Sequence, residues 1–194
     1  MIPRKILCEL DFERLENHFL DDIIGESRRT RFGAGVSDEY IKQYLNKTKE
    51  KIGKTDMWFV VDIGDRIIAA CHVSYDKKTN TSELGLTVSP DYRNQKIGQE
   101  LFNRGVTWSR MKGAETIFMH CLTENLAIQH IARKGGMTVV TVDMGEKEGT
   151  IKVNKNTLVS TFEDAIMENM AIYDSTIRNQ QWFFKNFMKM FGRK

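Results

Sequence analysis

The chain has 194 residues, 41% hydrophobic and 28% charged, with a formal net charge of +3. A chain of this size buries roughly 70% of its surface on folding, enough for one ordinary core. The composition excludes a disordered chain, a collagen-like repeat and a multi-span membrane protein, and so weak a charge gives no argument for nucleic acid, whose binders carry a basic patch or stripe.

Residues 4–10 read as a strand, and Phe12, Leu15, Phe19 and Leu20 carry helical spacing over 12–20. A polar, glycine-bearing connection over 27–36 follows. Ser37, with Asp38 and Glu39 in the first turn, opens a helix running to about Lys49. The period then changes. Residues 58–63 read as a strand, Gly64-Asp65 as a turn and 66–75 as a second strand. Polar residues 76–80 turn the chain into a third strand over 81–88, which Ser89-Pro90-Asp91 stops. Helical spacing returns over 98–112 through Leu101, Phe102, Gly105, Trp108 and Met111. A strand over 116–122 follows, then a helix over 124–134 that Thr123 can cap and Gly135-Gly136 ends. Residues 137–142 and 150–153 read as a closing hairpin around a turn at 143–149. The order β-α-α-β-β-β-α-β-α-β-β predicts an α/β fold with a mixed sheet.

Cys8, Cys71 and Cys121 are odd in number and widely spaced, which suits free thiols in a reducing cytoplasm. The four histidines show no ligand spacing, so no metal is expected. The first residues lack the apolar run of a signal peptide, and no stretch approaches the roughly 20 apolar residues of a membrane span.

The stretch from Leu84 to Leu101 carries the chemistry: a strand runs through a polar, basic turn straight into an amphipathic helix. Such a turn aims successive backbone N–H groups at one place, and the helix N-terminus adds a positive dipole end. Arg93 and Lys96 add charge, and Gly98 lets the backbone approach a ligand. These features suit a phosphate site and, equally, an ordinary helix start with solvated basic residues. Val88 followed by Arg93-Asn94-Gln95-Lys96-Ile97-Gly98 resembles the acetyl-CoA signature of the GNAT superfamily of N-acetyltransferases. Asn125, Ile128, Ala132, Gly136 and Met137 occupy, in order, the positions of a second block of that family, with a looser resemblance at Ala132.

The resemblance covers about residues 1–157, leaving 158–194 as a helical extension. It implies the GNAT fold: a mixed, mostly antiparallel central sheet flanked by helices. It also implies a binding site for acetyl-CoA as acyl donor and an amine acceptor, either a small molecule or a protein lysine. Backbone groups of Leu86 and Val88 would pair with the pantetheine arm as an added strand. N–H groups at Lys96, Ile97, Gly98 and Gln99 would hold the pyrophosphate with Arg93 beside it, and Asn125 would sit near the thiol end. The strands at 81–88 and 116–122 would splay to form the cleft. Two departures stand out: Lys96 occupies a position where the signature prefers Gly, and Ala132 one where many relatives carry a Tyr that protonates the leaving thiolate.

An amine must lose a proton to attack a thioester, and a placed carboxylate can take it. Glu83 is the candidate base. Strand alternation puts it on the face of Gly85 and Thr87, opposite Leu84, Leu86 and Val88, and a glutamate there also resembles the protein-lysine acetyltransferase branch. A solvated strand carboxylate fits the same pattern. His120 is the rival catalytic group, although a hydrogen-bonded structural histidine fits as well. Cys121 falls on the opposite face from His120, as a small core residue. Acceptor specificity is expected in residues 25–50 and the cleft walls.

Ser160 and Glu163 resemble a capping box opening the tail. Four acids (Glu163, Asp164, Glu168, Asp174) precede five bases (Arg178, Lys185, Lys189, Arg193, Lys194), with Phe183, Phe184, Phe187, Met188 and Phe191 on one helical face. That face suits packing on its own domain, a homodimer contact or a peripheral membrane contact. Two readings outside enzymology stay open: a non-catalytic acyl-CoA-binding or protein-interaction module on the same fold, and a scaffold presenting the tail.

Overall fold

A computed structural model describes residues 3–6 and 9–153; Cys8 and the expected C-terminal helix lie outside the described residues. The elements are β1 (Arg4–Lys5), α1 (Glu9–Asn17), a π turn (His18–Asp22), α2 (Gly25–Phe32), α3 (Asp38–Lys49), β2 (Asp56–Ile63), β3 (Arg66–Asp76) and β4 (Thr81–Val88). A 3-10 turn (Pro90–Tyr92), α4 (Ile97–Lys112), β5 (Thr116–Leu122), α5 (Leu126–Lys134), β6 (Thr138–Asp143) and β7 (Glu146–Lys152) complete them. Seven strands form one sheet in the order β1-β2-β3-β4-β5-β7-β6, antiparallel except at β4 and β5. This is the expected GNAT fold class.

Strand alternation divides the core into two. On β2, Met57, Phe59 and Val61 face Leu101, Phe102, Val106 and Trp108 of α4, while Trp58 and Val60 face Leu15, Phe19, Ile41 and Leu45 from α1, the π turn and α3. Gly105 brings α4 close to the sheet, since a Cβ there would meet Leu84 Cδ2 at 2.5 Å. The buried Arg4 guanidinium forks onto Asp11 at 2.8 Å through both terminal nitrogens and meets Asp62 at 2.9 Å. This buried, bidentate pairing anchors β1 to α1 and β2.

Four expectations are corrected. Among the described residues of 4–10, only Arg4–Lys5 is strand, and α1 already begins at Glu9. Overlapping 27–36, expected as a loop, is α2 (Gly25–Phe32), a helix that buries none of its residues and so shows no apolar period. Polar contacts hold it: Arg28 donates to the carbonyls of Phe19, Ile23 and Val36, and Arg29 pairs with Glu26 and Glu124. Asn125, not Thr123, caps α5 by accepting from Ile128 N–H at 3.3 Å; the Thr123 carbonyl is taken by Gln129 Nε2 at 2.7 Å. The last hairpin turns within Met144-Gly145, where Asp143 Oδ1 accepts Met144 N–H and Gly145 takes φ 89°, so Glu146–Glu148 join β7.

The π turn drops His18 beneath the end of β4. Its Nε2 lies 3.0 Å from Thr87 Oγ1 and its Nδ1 3.3 Å from Ser89 Oγ, and Ser89 donates to Asp22 Oδ2 at 2.5 Å. Arg66 also pairs with Asp22. Burial pushes the His18 imidazole down to about 4, against the pull of Asp22. A histidine neutral in the fold but protonated when unfolded stabilises above its ordinary value near 6.5 and loses that contribution as pH falls towards 4. Stability in urea should therefore fall by up to about 1.4 kcal/mol per pH unit from this group between pH 6 and 4.5. The slope of stability against pH should be shallower by about one proton in His18→Gln; equal slopes would dismiss His18 as the source.

Candidate active site

β4 and β5 pair only at Thr81–Glu83 with Thr116–Phe118. Beyond that β4 stays on β3 as far as Val88, and β5 stays on β7 as far as Leu122. The two strands therefore separate, and residues 84–88 have no strand partner on the β5 side. This is the cleft expected from the sequence. At its end the chain makes the 3-10 turn and enters α4 through Lys96, at φ 64° and ψ 1°. The left-handed backbone costs a lysine about 1–2 kcal/mol, and the first amides of α4 follow it directly. Those of Ile97 and Gly98 have no acceptor within the helix, whereas Gln99 N–H already donates to Lys96 O at 3.0 Å. Gly98 is needed for packing as well, since a Cβ there would meet Ile131 Cδ1 at 2.8 Å. Arg93 lies beside the turn and donates to Ser27 Oγ at 2.7 Å and Val88 O at 3.4 Å. An open strand edge leading to free helix-start amides with two cations fits an extended chain ending in phosphates.

On the α2–α3 side of the sheet, the cleft widens into a cavity of about 460 Å³. Both candidate catalytic side chains line it, Glu83 from β4 and His120 from β5. Glu83 is exposed to the cavity. His120 is half exposed, packs edge-on against Phe118 and has Nε2 3.8 Å from Glu148 Oε2. Cys121 is buried, and burial raises its thiol despite Lys147 and Arg133, so it holds no ready thiolate. Asn125 uses its side chain as the α5 cap. Ala132 is buried, with its Cβ 3.4 Å from where a Cβ would stand on Gly149.

Beneath the cavity runs a polar chain that sequence reading missed. Arg31 Nη2 donates to Tyr44 Oη at 2.9 Å, Tyr44 O–H donates to His72 Nδ1 at 2.9 Å, and His72 Nε2–H donates to Asp56 Oδ1 at 2.9 Å. Thr55 donates to the second Asp56 oxygen at 2.7 Å. The directions require a neutral His72 protonated on Nε2. Burial lowers His72 in spite of Asp56, and burial pushes the Tyr44 phenol up to about 12. The chain holds Tyr44 and Arg31 in position. Trp58 stacks on His72 at 4.7 Å between ring centroids. The signals were present but non-local: His72 shares a face with Ser74 by alternation, while Arg31 belonged to a stretch without period.

Among the described residues, no group of three or more His, Cys, Asp or Glu could hold a metal ion, and no helix is long and apolar enough to cross a membrane.

Comparison with known proteins places these features. The acetyltransferase (GNAT) family profile matches residues 19–137, and no curated protein sequence matches the chain. Among solved structures, the GNAT domain of S. lividans PAT is similar at 16% identity and a TM-score of 0.68, over 78% of this chain and 89% of that one. Ribosomal-protein-alanine N-acetyltransferase from Brucella melitensis gives 15% identity and a TM-score of 0.62, over 79% and 100%. A ribosomal L7/L12 alpha-N-protein acetyltransferase solved with coenzyme A gives 10% and 0.62, over 79% and 94%. At such identities the likeness is one of fold.

The backbone at position 96 yields a stability order. Lys96→Gly relieves the left-handed strain but loosens the unfolded chain, for a net gain of up to about 1 kcal/mol. Lys96→Val forces a β-branched residue into the same region and should lower stability below that of the unaltered chain. Urea midpoints should rank Gly, Lys, Val; a valine variant as stable as the glycine one would mean that position 96 relaxes out of this conformation.

Proposed function

Because this chain belongs to the GNAT acetyltransferase family, we propose that it transfers the acetyl group of acetyl-CoA to a primary amine by direct attack in a ternary complex, with Glu83 as general base. The observation that carries this reading is the cleft between β4 and β5, which joins the free amides of α4 to a cavity walled by Glu83. Bound acetyl-CoA supplies an activated acetyl group on a sulfur leaving group. The open backbone edge at Leu86 and Val88 would align its pantetheine arm, and the Ile97 and Gly98 amides would meet its pyrophosphate. Lys96 adds charge there, and Arg93 would exchange Ser27 for a phosphate oxygen.

Glu83 lies where β4 leaves β5, so its carboxylate can meet an amine entering from the cavity. Its role is to take the proton that the amine loses, directly or through water. His120 faces the same cavity from the β5 wall and is the second group able to receive it. With Ala132 buried in place of a tyrosine, the leaving sulfur has no phenolic acid on α5. A thiolate leaves without one near neutral pH. The same departure favours the alternative reading, a module that binds acyl-CoA and does no chemistry.

Acetyl-CoA at 100 times its Kd should stabilise the protein by about 2.7 kcal/mol, or roughly 5–10 °C in Tm; no shift would sink both readings. CoA release across a panel of amines then separates enzyme from binder. Glu83→Gln should lower kcat by about 10²–10⁴-fold while leaving the CoA-induced shift intact. A variant whose pH–rate profile matches the parent's would remove Glu83 as base.

A further inference from the structure

Arg31 is the most prominent cation of the acceptor cavity, and its charge is not neutralised by contact. The guanidinium rests on the backbone of Gly85, where any Cβ would collide with it. It lies 4.9 Å from the Phe32 ring centroid and 5.8 Å from that of Tyr44. It donates a hydrogen bond to a neutral phenol oxygen, Tyr44 Oη, and its Nε is buried without an acceptor. Among the described residues, no carboxylate lies within ion-pair distance of it. A cation held in this way, on aromatic faces and a hydrogen-bond chain, is arranged before any ligand arrives, which lowers the ordering cost of binding an anion.

Glu83 stands two residues from Gly85 on the same face of β4 and opens into the same cavity. Two residues along a strand span about 7 Å, so the cavity floor presents a carboxylate and a guanidinium side by side without an ion pair between them. The complement of that pattern is a molecule with an ammonium at one end and a carboxylate at the other. A volume of about 460 Å³ suits a small molecule of this kind. We propose that the amine acceptor is a small aminocarboxylate, its carboxylate held by Arg31 over Gly85 and its amine presented to Glu83. The inference rests on the acetyltransferase reading for the fate of the amine, and on the cavity alone for binding.

The test is calorimetric titration of protein saturated with CoA, using straight-chain ω-amino acids from glycine to aminohexanoate and the carboxamide of each. At one or more chain lengths the acid should bind about tenfold more tightly than its amide, the effect of one charge-assisted contact. Arg31→Gln should bring that ratio to near one while the affinity for the amide stays within about twofold. Gly85→Ala should do the same with the arginine still present, because the added methyl displaces it. Equal affinity of acid and amide at every chain length, binding of neither, or an undiminished ratio in both variants would overturn the proposal. CoA release from acetyl-CoA with the same amines separates the two readings. Acid-selective binding without release would fail the transferase alone; release from acids and amides with equal affinity would fail the aminocarboxylate alone.

Discussion

The separation of β4 from β5 governs this molecule. Each strand has one committed neighbour: β4 lies along β3 over its whole length, and β5 along β7. Their pairing with each other stops after three residues on each strand. A parallel pair that parts in mid-sheet leaves backbone groups without strand partners, and such groups demand hydrogen bonds from elsewhere. The fold places the start of α4 at one end of that gap and a cavity at its side. The helix start and the cavity thereby meet at one strand edge.

The two faces are built differently. The α4–α5 face is apolar and closely packed, with Gly98 and Gly105 letting helices approach within the reach of a single side chain. The α2–α3 face carries buried polar chains: Asp56, His72, Tyr44 and Arg31 under the cavity, and Asp22, Ser89, His18 and Thr87 under the end of β4. Each depends on a neutral histidine whose burial outweighs the neighbouring carboxylate. Such networks are weak contributors to net stability but demand one geometry, because a missing partner leaves a buried polar group unpaired. The cost of that geometry falls on the side of the sheet where a substrate has to be recognised.

α2 joins the parts. It buries no residue of its own, yet Arg93 of the turn before α4 bonds its Ser27, Glu124 before α5 pairs with its Arg29, and its Arg31 lies on β4. The helix is thus tied to the turn before α4, to the β5–α5 loop and to the cleft floor. Its ties are exposed or half-exposed ion pairs and hydrogen bonds, each modest in free energy.

Much of this was legible in local pattern. The period of two placed β3, β4 and β5 within a residue of their ends, and alternation put Glu83 with Gly85 and opposite Leu84. The strand, basic turn and helix around Val88 to Gly98 were legible as well, since those signals lie between neighbouring residues. What failed had no local period: α2, whose helix is held by long-range arginine contacts, and the hairpin at Met144-Gly145, which carries Glu146 into the cavity wall. Sequence alone determined most of the elements, the fold class and the residues offered for chemistry, because backbone sterics and face alternation act over a few residues. Tertiary structure alone decided that Glu83, His120 and Arg31 share one cavity and that Lys96 takes a left-handed turn. Those outcomes depend on where β4 leaves β5 and on polar partners dozens of residues apart, which no window along the chain contains.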